Sequence, residues 1–163
     1  MDGDGPGPEG VRQPSALSRR LGWPVLIAVV VAAFTGLLGP GPLSRASASD
    51  PAGLVELEYS RFTRQLANTA LRVTITPEVE STGSVRLWIS SAYLAEASVQ
   101  QVVPEPVAWV AADGGAVLVF PLTDRAAPVT VRIQLQPNWV GLLRGEIGVV
   151  GRQPIRFWQF AYP

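Results

Sequence analysis

The sequence predicts an all-β protein: an antiparallel Ig-like β-sandwich of about 8–9 strands, preceded by one N-terminal transmembrane helix. Three observations predict this class. Residues 21–38 contain no charged side chain. From residue 54 onward, apolar and polar residues alternate with a period of two, which is typical of strands with one buried face. Clusters of turn-forming residues separate these segments at the spacing of a sandwich.

The first 38 residues divide into a polar tail and an apolar segment. Residues 1–20 are rich in glycine, proline and small polar residues, so we expect a disordered cytoplasmic tail. Residues 21–38 would form a helix about 27 Å long, close to the thickness of a bilayer core. Three arginines precede this segment, whereas only Arg45 follows it closely. The arginine bias predicts a single-pass protein of the cell membrane with a cytoplasmic N-terminus and an extracytoplasmic C-terminal domain.

Two other interpretations of the apolar segment stay open. A cleaved signal peptide is one, because Ser18-Arg19-Arg20 resembles a twin-arginine start and Ala46-Ser47-Ala48 offers a small-x-small cleavage site. The apolar run exceeds an ordinary signal-peptide core, and Ala48 lies ten residues beyond its end, so we favour an uncleaved anchor. A buried core helix is the other, but nothing else in the chain is helical enough to surround it.

Residues 39–53 are predicted to be a linker, and residues 54–163 to form the extracytoplasmic β-sandwich domain. In the segment LRVTITP, the apolar Leu71, Val73 and Ile75 alternate with arginine and threonine, which predicts one buried face. The same reasoning predicts about nine strands. They cover residues 55–59, 71–77, 85–91, 97–103, 107–111, 116–122, 129–136, 146–150 and 155–162.

Turn residues connect most of these strands. Asp113-Gly114 lies between two apolar runs and predicts the clearest hairpin, since a tight turn with positive φ needs residues of this type. Residues 60–68 and 91–96 are predicted to hold short helical turns between strands. Neither is long enough to change the fold class.

Composition excludes several kinds of chemistry. The chain has no histidine, cysteine or lysine, so the usual catalytic triads and dyads, Schiff bases, disulfides and zinc, copper or haem sites lack their residues. Asp113 and Asp124 are isolated in sequence, which argues against a calcium site. Thirteen basic residues balance thirteen acidic ones, and no phosphate-binding loop is present. We therefore predict no catalytic residue, cofactor, metal, nucleotide or nucleic-acid partner.

Two carboxylate pairs are the only acid/base candidates. Glu56 with Glu58, and Glu78 with Glu80, are spaced two residues apart, which places both side chains of a pair on one strand face. A carboxylate-dependent hydrolase would need one of them to face another carboxylate across a cleft. Charges on a solvent-facing strand edge are the simpler interpretation, because they block unwanted strand pairing.

Aromatic and arginine side chains are the candidates for contact with a partner. Trp88 falls on the same strand face as Arg86 and Ser90, so its ring is expected to be exposed or capped by arginine. The last strand carries aromatic rings on both faces, more than one buried face requires. Burial within the sandwich is the favoured interpretation for each ring taken singly, because aromatic residues are large core fillers. Otherwise an internal loop, the membrane surface or a partner would cover the second face. The candidate interface residues are Arg86, Trp88, Arg156, Trp158, Phe160 and Tyr162.

Three segments carry a resemblance to known proteins. LVELEYSRF (residues 54–62), Pro104-Glu105-Pro106 and FWQFAYP (residues 157–163) are similar to a group of uncharacterised bacterial single-pass membrane proteins with a small extracytoplasmic β domain. The resemblance covers the helix and the whole β domain. Such chains tend to be encoded beside a multi-pass membrane protein, which implies an accessory role and supplies no catalytic residue.

The sequence thus predicts a membrane-anchored, non-catalytic accessory or interaction protein of the bacterial envelope. Its partners would be the lipid bilayer, through residues 21–38, and another membrane or envelope protein. A secreted ligand-binding β-sandwich module, released by cleavage after Ala48, is the alternative. A carboxylate-dependent hydrolase is the more remote one.

Overall fold

A computed structural model of the chain describes residues 23–27, 30, 44–76, 83–122 and 127–163. The described strands form two sheets, which confirms an all-β sandwich. One short helix, α1 (Ser91–Glu96), connects β5 to β6. The strands are β1 (Arg45–Ser49), β2 (Val55–Ser60), β3 (Phe62–Arg64), β4 (Thr69–Ile75), β5 (Ser84–Ser90), β6 (Ala97–Val103), β7 (Ala108–Ala112), β8 (Gly115–Pro121), β9 (Val129–Pro137), β10 (Gly141–Val149) and β11 (Ile155–Tyr162).

The two sheets have five and six strands. The five-stranded sheet has the order β1-β2-β4-β9-β6, and all of its pairs are antiparallel. The six-stranded sheet has the order β3-β11-β10-β5-β8-β7. Its pairs are antiparallel except that β3 runs parallel to the end of β11, with Phe62 beside Phe160. The antiparallel prediction therefore fails at this one pair.

The core lies between the sheets because each strand turns its apolar residues inward. In β4, Leu71, Val73 and Ile75 are buried while Arg72 between them is exposed, as the alternation predicts. Opposing strands of the six-stranded sheet contribute a matching apolar layer, as in other face-to-face sandwiches. Its largest fully buried side chains are Leu87, Ile89, Leu118, Phe120, Leu143 and Ile147.

Several predicted elements are found at or near their predicted positions. The strands β6 and β11 have the predicted bounds, and residues 91–96 form α1. The Asp113-Gly114 hairpin is also confirmed. Ala112 pairs with Gly115 across it, and Gly114 adopts a φ of 68° that suits a residue without a Cβ.

The predicted helical turn at residues 60–68 is wrong. This segment instead contains β3, whose pairing with β11 supplies hydrogen bonds to its backbone, such as that from Gln65 N to the Tyr162 carbonyl at 2.7 Å. A three-residue strand is too short for its pattern to be recognised. Only its neighbour in the folded sheet makes it a strand.

The domain also begins earlier than the sequence predicts, because residues 45–49 of the expected linker form β1. Ala46 and Ala48 pack against the core cluster, and Ser44 already accepts a hydrogen bond from Arg61 N at 2.6 Å. The side chains of RASAS are too small to predict burial from sequence. The carboxylate of Asp50 stabilises the β1–β2 loop by accepting hydrogen bonds from the backbone N–H groups of Leu54 and Val55.

Most of the N-terminal predictions lie outside the described residues. The tail at 1–20 is one of them, and of the predicted transmembrane segment the structure describes residues 23–27 and 30, all helical. Within the described part of the chain, no helix is both long and apolar enough to cross a bilayer.

Candidate interaction face

All six predicted interface residues lie on the outer surface of the six-stranded sheet. In β11 the buried residues alternate with Arg156, Trp158, Phe160 and Tyr162, which point away from the core. In β5 the outward positions are those of Arg86, Trp88 and Ser90, as the alternation predicts. The two strands are separated by β10, so the candidates converge on one face although they are about seventy residues apart in sequence.

Strand β10 completes this face with residues that the sequence analysis missed. Leu142 pairs with Phe160, Arg144 with Trp158, and Glu146 with Arg156, and all three β10 side chains point outward. We call the outer surface of the six-stranded sheet around these residues the aromatic face. It is defined by Phe62, Trp88, Leu142, Arg144, Glu146, Arg156, Trp158 and Phe160.

The start of β10 escaped prediction because Gly145 interrupts its apolar pattern. Gly145 occupies an inward position, where an added Cβ would lie 2.5 Å from the Phe157 ring and 3.0 Å from the Tyr93 ring. The aromatic rings therefore fill the space that a side chain would take. A glycine at an inward position of an otherwise alternating segment is the signal that reveals the longer strand.

Trp158 is the centre of the aromatic face. Its ring meets the ring of Phe62 edge-on, with centroids 6.3 Å apart and an interplanar angle of 83°. The guanidinium carbon of Arg61 lies 5.7 Å from the Trp158 ring centroid, within the range of a cation–π contact. Trp158 and Phe160 each nevertheless keep 40% of their surface exposed. The neighbouring groups hold the tryptophan ring in place and leave part of it exposed. The expectation that each ring is buried within the sandwich is therefore wrong for Trp158 and Phe160, because both occupy outward positions of β11.

Trp88 borders the same face but is half-buried. A Cβ on Gly115 would lie 2.8 Å from Nε1 of Trp88, so the indole lies directly against the glycines of the β7–β8 hairpin. Trp88 is also paired with Gly148 of β10. The hairpin glycines thus make room for a large ring on the surface of the sheet, whereas a Cβ on Gly148 would meet Pro154.

An open groove of about 860 Å³ runs across the aromatic face. Its lining includes Trp88, Leu142, Arg144 and Trp158. Glu146 is the single carboxylate among the described lining residues, and its Oε1 accepts a hydrogen bond from Nε of Arg156 at 2.9 Å. The groove therefore combines indole rings with arginine side chains, a composition typical of binding surfaces.

A buried polar pair supports the face from below. The hydroxyl of Tyr93, in α1, donates a hydrogen bond to Oε1 of Gln159, and Nε2 of Gln159 donates to the Ser60 carbonyl at 2.8 Å. Both side chains are fully buried, and burial raises the pKa of Tyr93. The phenol thus stays neutral, and its position in the core gives it a structural role in joining α1, β11 and β2.

The carboxylate pairs proposed as acid/base candidates are not part of this face. Glu56 and Glu58 are exposed on the outer surface of the five-stranded sheet, and Glu58 lies 3.7 Å from Nε of Arg72. Glu78 and Glu80 lie outside the described residues. Among the described residues, no group of three or more acidic side chains is placed to hold a metal ion.

The likenesses found by comparison with known proteins are structural and distant. No protein-family model matches the chain, and no curated protein matches it. Among solved structures, a cohesin module from a family 33 glycoside hydrolase of Clostridium perfringens superposes with a TM-score of 0.42 and 8% identity. The match covers 72% of this chain and 96% of that module. A likeness at this level carries no argument about function.

Proposed function

We propose that this protein is a single-pass, membrane-anchored, non-catalytic accessory protein of the bacterial envelope that binds another membrane or envelope protein through the aromatic face. The observation that carries the proposal is the exposure of Trp158 and Phe160 beside arginines on an outer sheet surface. Tryptophan and arginine are the residues most enriched at the energetic centres of protein interfaces. A contiguous exposed apolar patch is otherwise unfavourable in a soluble domain.

The anchor in this proposal is the uncharged segment at residues 21–38, with the N-terminus in the cytoplasm and the sandwich outside. The helical conformation of residues 23–27 and 30 agrees with such an anchor. We further propose that the sandwich belongs to the Ig-like group, whose members pair two mainly antiparallel sheets and serve widely as interaction domains. The resemblance to bacterial single-pass membrane proteins supports the same assignment.

A first experiment tests the anchor. Cells expressing a C-terminally tagged chain are fractionated, the membranes are washed with carbonate, and the mass of the tagged species is measured. We expect the full-length mass in the washed membrane, because a single apolar helix resists carbonate extraction. A soluble product that begins at Ser49 would contradict the anchor.

A second experiment tests the aromatic face in the same cells. A photo-reactive amino acid is placed at Trp158, and in a matched control at the exposed Arg72 on the other sheet. We expect the Trp158 position to form an adduct of one defined mass with an envelope protein, and the control position to form none. The adduct should be lost when Leu142→Thr and Phe160→Thr are added. Equal cross-linking at both positions would refute a specific docking face.

The groove on the aromatic face favours one second candidate, a secreted ligand-binding module. Its volume of about 860 Å³ falls in the range of small-molecule sites. This candidate needs cleavage after Ala48, which would remove four of the five residues of β1 and leave the edge of β2 unpaired. The loss of β1 that cleavage would cause therefore favours the anchored form over the secreted one. The mass measurement described above distinguishes the two candidates.

A further inference from the structure

The chain enters the sandwich at one defined end. Ser44 is already bound to the domain through its carbonyl, which accepts a hydrogen bond from Arg61 N, and Arg45 pairs with Ser60, the last residue of β2. Only residues 39–43 separate this point from the apolar segment that ends at Leu38. Six Cα–Cα steps span at most about 22 Å even when fully extended. If the segment is an anchor, this end of the domain must lie close to the membrane.

Two loops at this end are bound to each other. The turn after β3 contains Leu66, whose backbone N–H donates to the Pro137 carbonyl at 3.0 Å. The loop between β9 and β10 follows directly, and the carbonyl of Asn138 accepts a hydrogen bond from Nε2 of Gln65 at 3.0 Å. The Asn138 side chain is itself fixed to Ser98, with Nδ2 and Oγ 3.0 Å apart. Both loops are therefore held in one arrangement by polar contacts.

The side chains that these loops present are apolar. Leu66, Trp139 and Val140 are 63%, 67% and 49% exposed, respectively, and we call these three residues the apolar tip. Leu66 adopts a φ of 59°, a left-handed conformation that leucine rarely takes and that asparagine or glycine would adopt more easily. Backbone preference and solubility would both favour a polar residue at this turn. An apolar environment outside the domain explains leucine.

Three arginines lie at the same end of the domain as the apolar tip. Arg45 is at the start of β1, Arg61 follows β2, and Arg64 is at the end of β3, and all three are exposed. The backbone of Arg61 is tied to β11 by a hydrogen bond from Phe160 N at 2.7 Å. Tryptophan and aliphatic side chains flanked by arginine match the interface of a bilayer, where the apolar groups enter the headgroup region and the cations meet anionic lipids.

We propose that the apolar tip inserts into the interfacial layer of the membrane that holds the chain, with Arg45 and Arg64 facing its anionic headgroups. The inference rests on the anchor in the proposed function, and adds a second contact that fixes the orientation of the sandwich. The long axis of β10 then points away from the bilayer. The aromatic face stands beside the membrane, where it can reach the extracytoplasmic part of a membrane protein.

The test uses the full-length protein in vesicles of phosphatidylcholine and phosphatidylglycerol. Because the chain has no cysteine, Trp139→Cys supplies a single thiol for an environment-sensitive fluorophore. The matched control is Trp109→Cys on β7, where the tryptophan is 48% exposed. In the sheet Trp109 is in register with Val149, at the end of β10 that lies away from Gly141 and the apolar tip. Val140→Cys provides a second tip position if the first variant fails to fold.

Lipids brominated near the headgroup quench a fluorophore only when it touches the bilayer. We expect a label at the tip to lose roughly half or more of its emission, and the label at position 109 to lose little. Replacing phosphatidylglycerol by phosphatidylcholine should weaken the quenching at the tip, because the arginines lose their anionic partners.

Flotation of the vesicles in a density gradient after a carbonate wash distinguishes the two ways to fail. Protein that floats while its tip label stays unquenched would overturn the apolar tip and leave the anchor standing. Protein that does not float would overturn the anchor and the inference together. A tip label that shifts to the blue without quenching by brominated lipid would indicate contact with another copy of the chain, which also overturns the inference.

Discussion

The outer surfaces of the two sheets differ in composition although both are built from alternating strands. The five-stranded sheet turns charged residues such as Glu56, Glu58 and Arg72 to solvent. The six-stranded sheet turns Trp158 and Phe160 outward from the equivalent alternation in β11. Alternation therefore identifies the residues that point away from the core. The polarity of those residues indicates whether the outer face of the sheet suits contact with water.

The charged surface illustrates what a hydrated face tolerates. Arg72 and Arg132 are direct cross-strand partners, a like-charge pair that costs little only where water and salt screen it. Glu58, on the other side of Arg72, partly balances the two charges. No such screening helps an exposed indole, because its unfavourable contact with water is removed only by covering it.

The largest difference in stability is expected between substitutions at two consecutive residues of β11 that point in opposite directions. Phe157→Ala removes a ring that packs on Tyr59 and Tyr93 in the core, and should lower the free energy of unfolding by about 3–5 kcal/mol. Trp158→Ala should lower it by less than about 1 kcal/mol, since that ring is on the surface. Urea denaturation of the full chain in detergent, followed by circular dichroism, measures both. Equal losses would contradict the division into core and outer face.

Tyr93→Phe should have a smaller effect. It leaves Oε1 of the buried Gln159 without its donor, which is expected to lower the free energy of unfolding by about 1–3 kcal/mol. Gln159→Leu alone and combined with Tyr93→Phe complete a double-mutant cycle, which is needed because Gln159 also donates to the Ser60 carbonyl. A coupling energy near zero between the two substitutions would show that the loss of the Tyr93–Gln159 bond is not the cause.

The same residue makes stability depend on pH. Because burial raises the pKa of Tyr93, the folded state keeps the phenolic proton at pH values where the unfolded chain, with a pKa of about 10, releases it. The contribution of this group is therefore full below pH 10 and is lost as pH rises above about 10. Urea midpoints at several alkaline pH values should fall less steeply for Tyr93→Phe. An unchanged slope would show that other tyrosines or arginines dominate.

Replacing exposed apolar side chains of the aromatic face by polar ones tests whether this face is built for contact. Leu142→Thr with Trp158→Thr should change the free energy of unfolding by about 1 kcal/mol or less, because both side chains are substantially exposed. With the protein in detergent-free vesicles, the protein-dependent binding of an apolar fluorescent dye should fall by roughly half. Unchanged dye binding would indicate that the dye occupies another surface.

The smallest effect is expected on the five-stranded sheet. Glu58→Gln breaks an ion pair whose side chains are both more than half exposed, and should change the free energy of unfolding by no more than about 0.5 kcal/mol. Thermal unfolding at low and at high salt measures this change. A larger loss would mean that the charged face is less hydrated than its exposure indicates.

Much of the fold follows from local pattern. The strands β6 and β11, helix α1 and the Asp113-Gly114 hairpin were predictable because alternation or turn chemistry is complete within each segment. The elements that escaped prediction are short or carry small residues. β1 packs only partly buried alanines against the core, β3 has three residues, and the first half of β10 contains Gly145. None of these has enough apolar side chain to be recognised without its neighbours.

The sequence by itself determined the class of the fold and the shared outward face of Arg86 and Trp88. It also excluded the catalytic chemistry of histidine, cysteine and lysine, which this chain lacks. Only the tertiary structure decided that Trp88 and Trp158 border one groove, and that β10 lies between them. It also decided that the loops of Leu66 and Trp139 are hydrogen-bonded to each other at the end where the chain enters the domain. The physical reason is that the direction of a side chain depends on local backbone geometry, whereas its neighbours depend on strand order and loop contacts. These arise only when distant segments pack together.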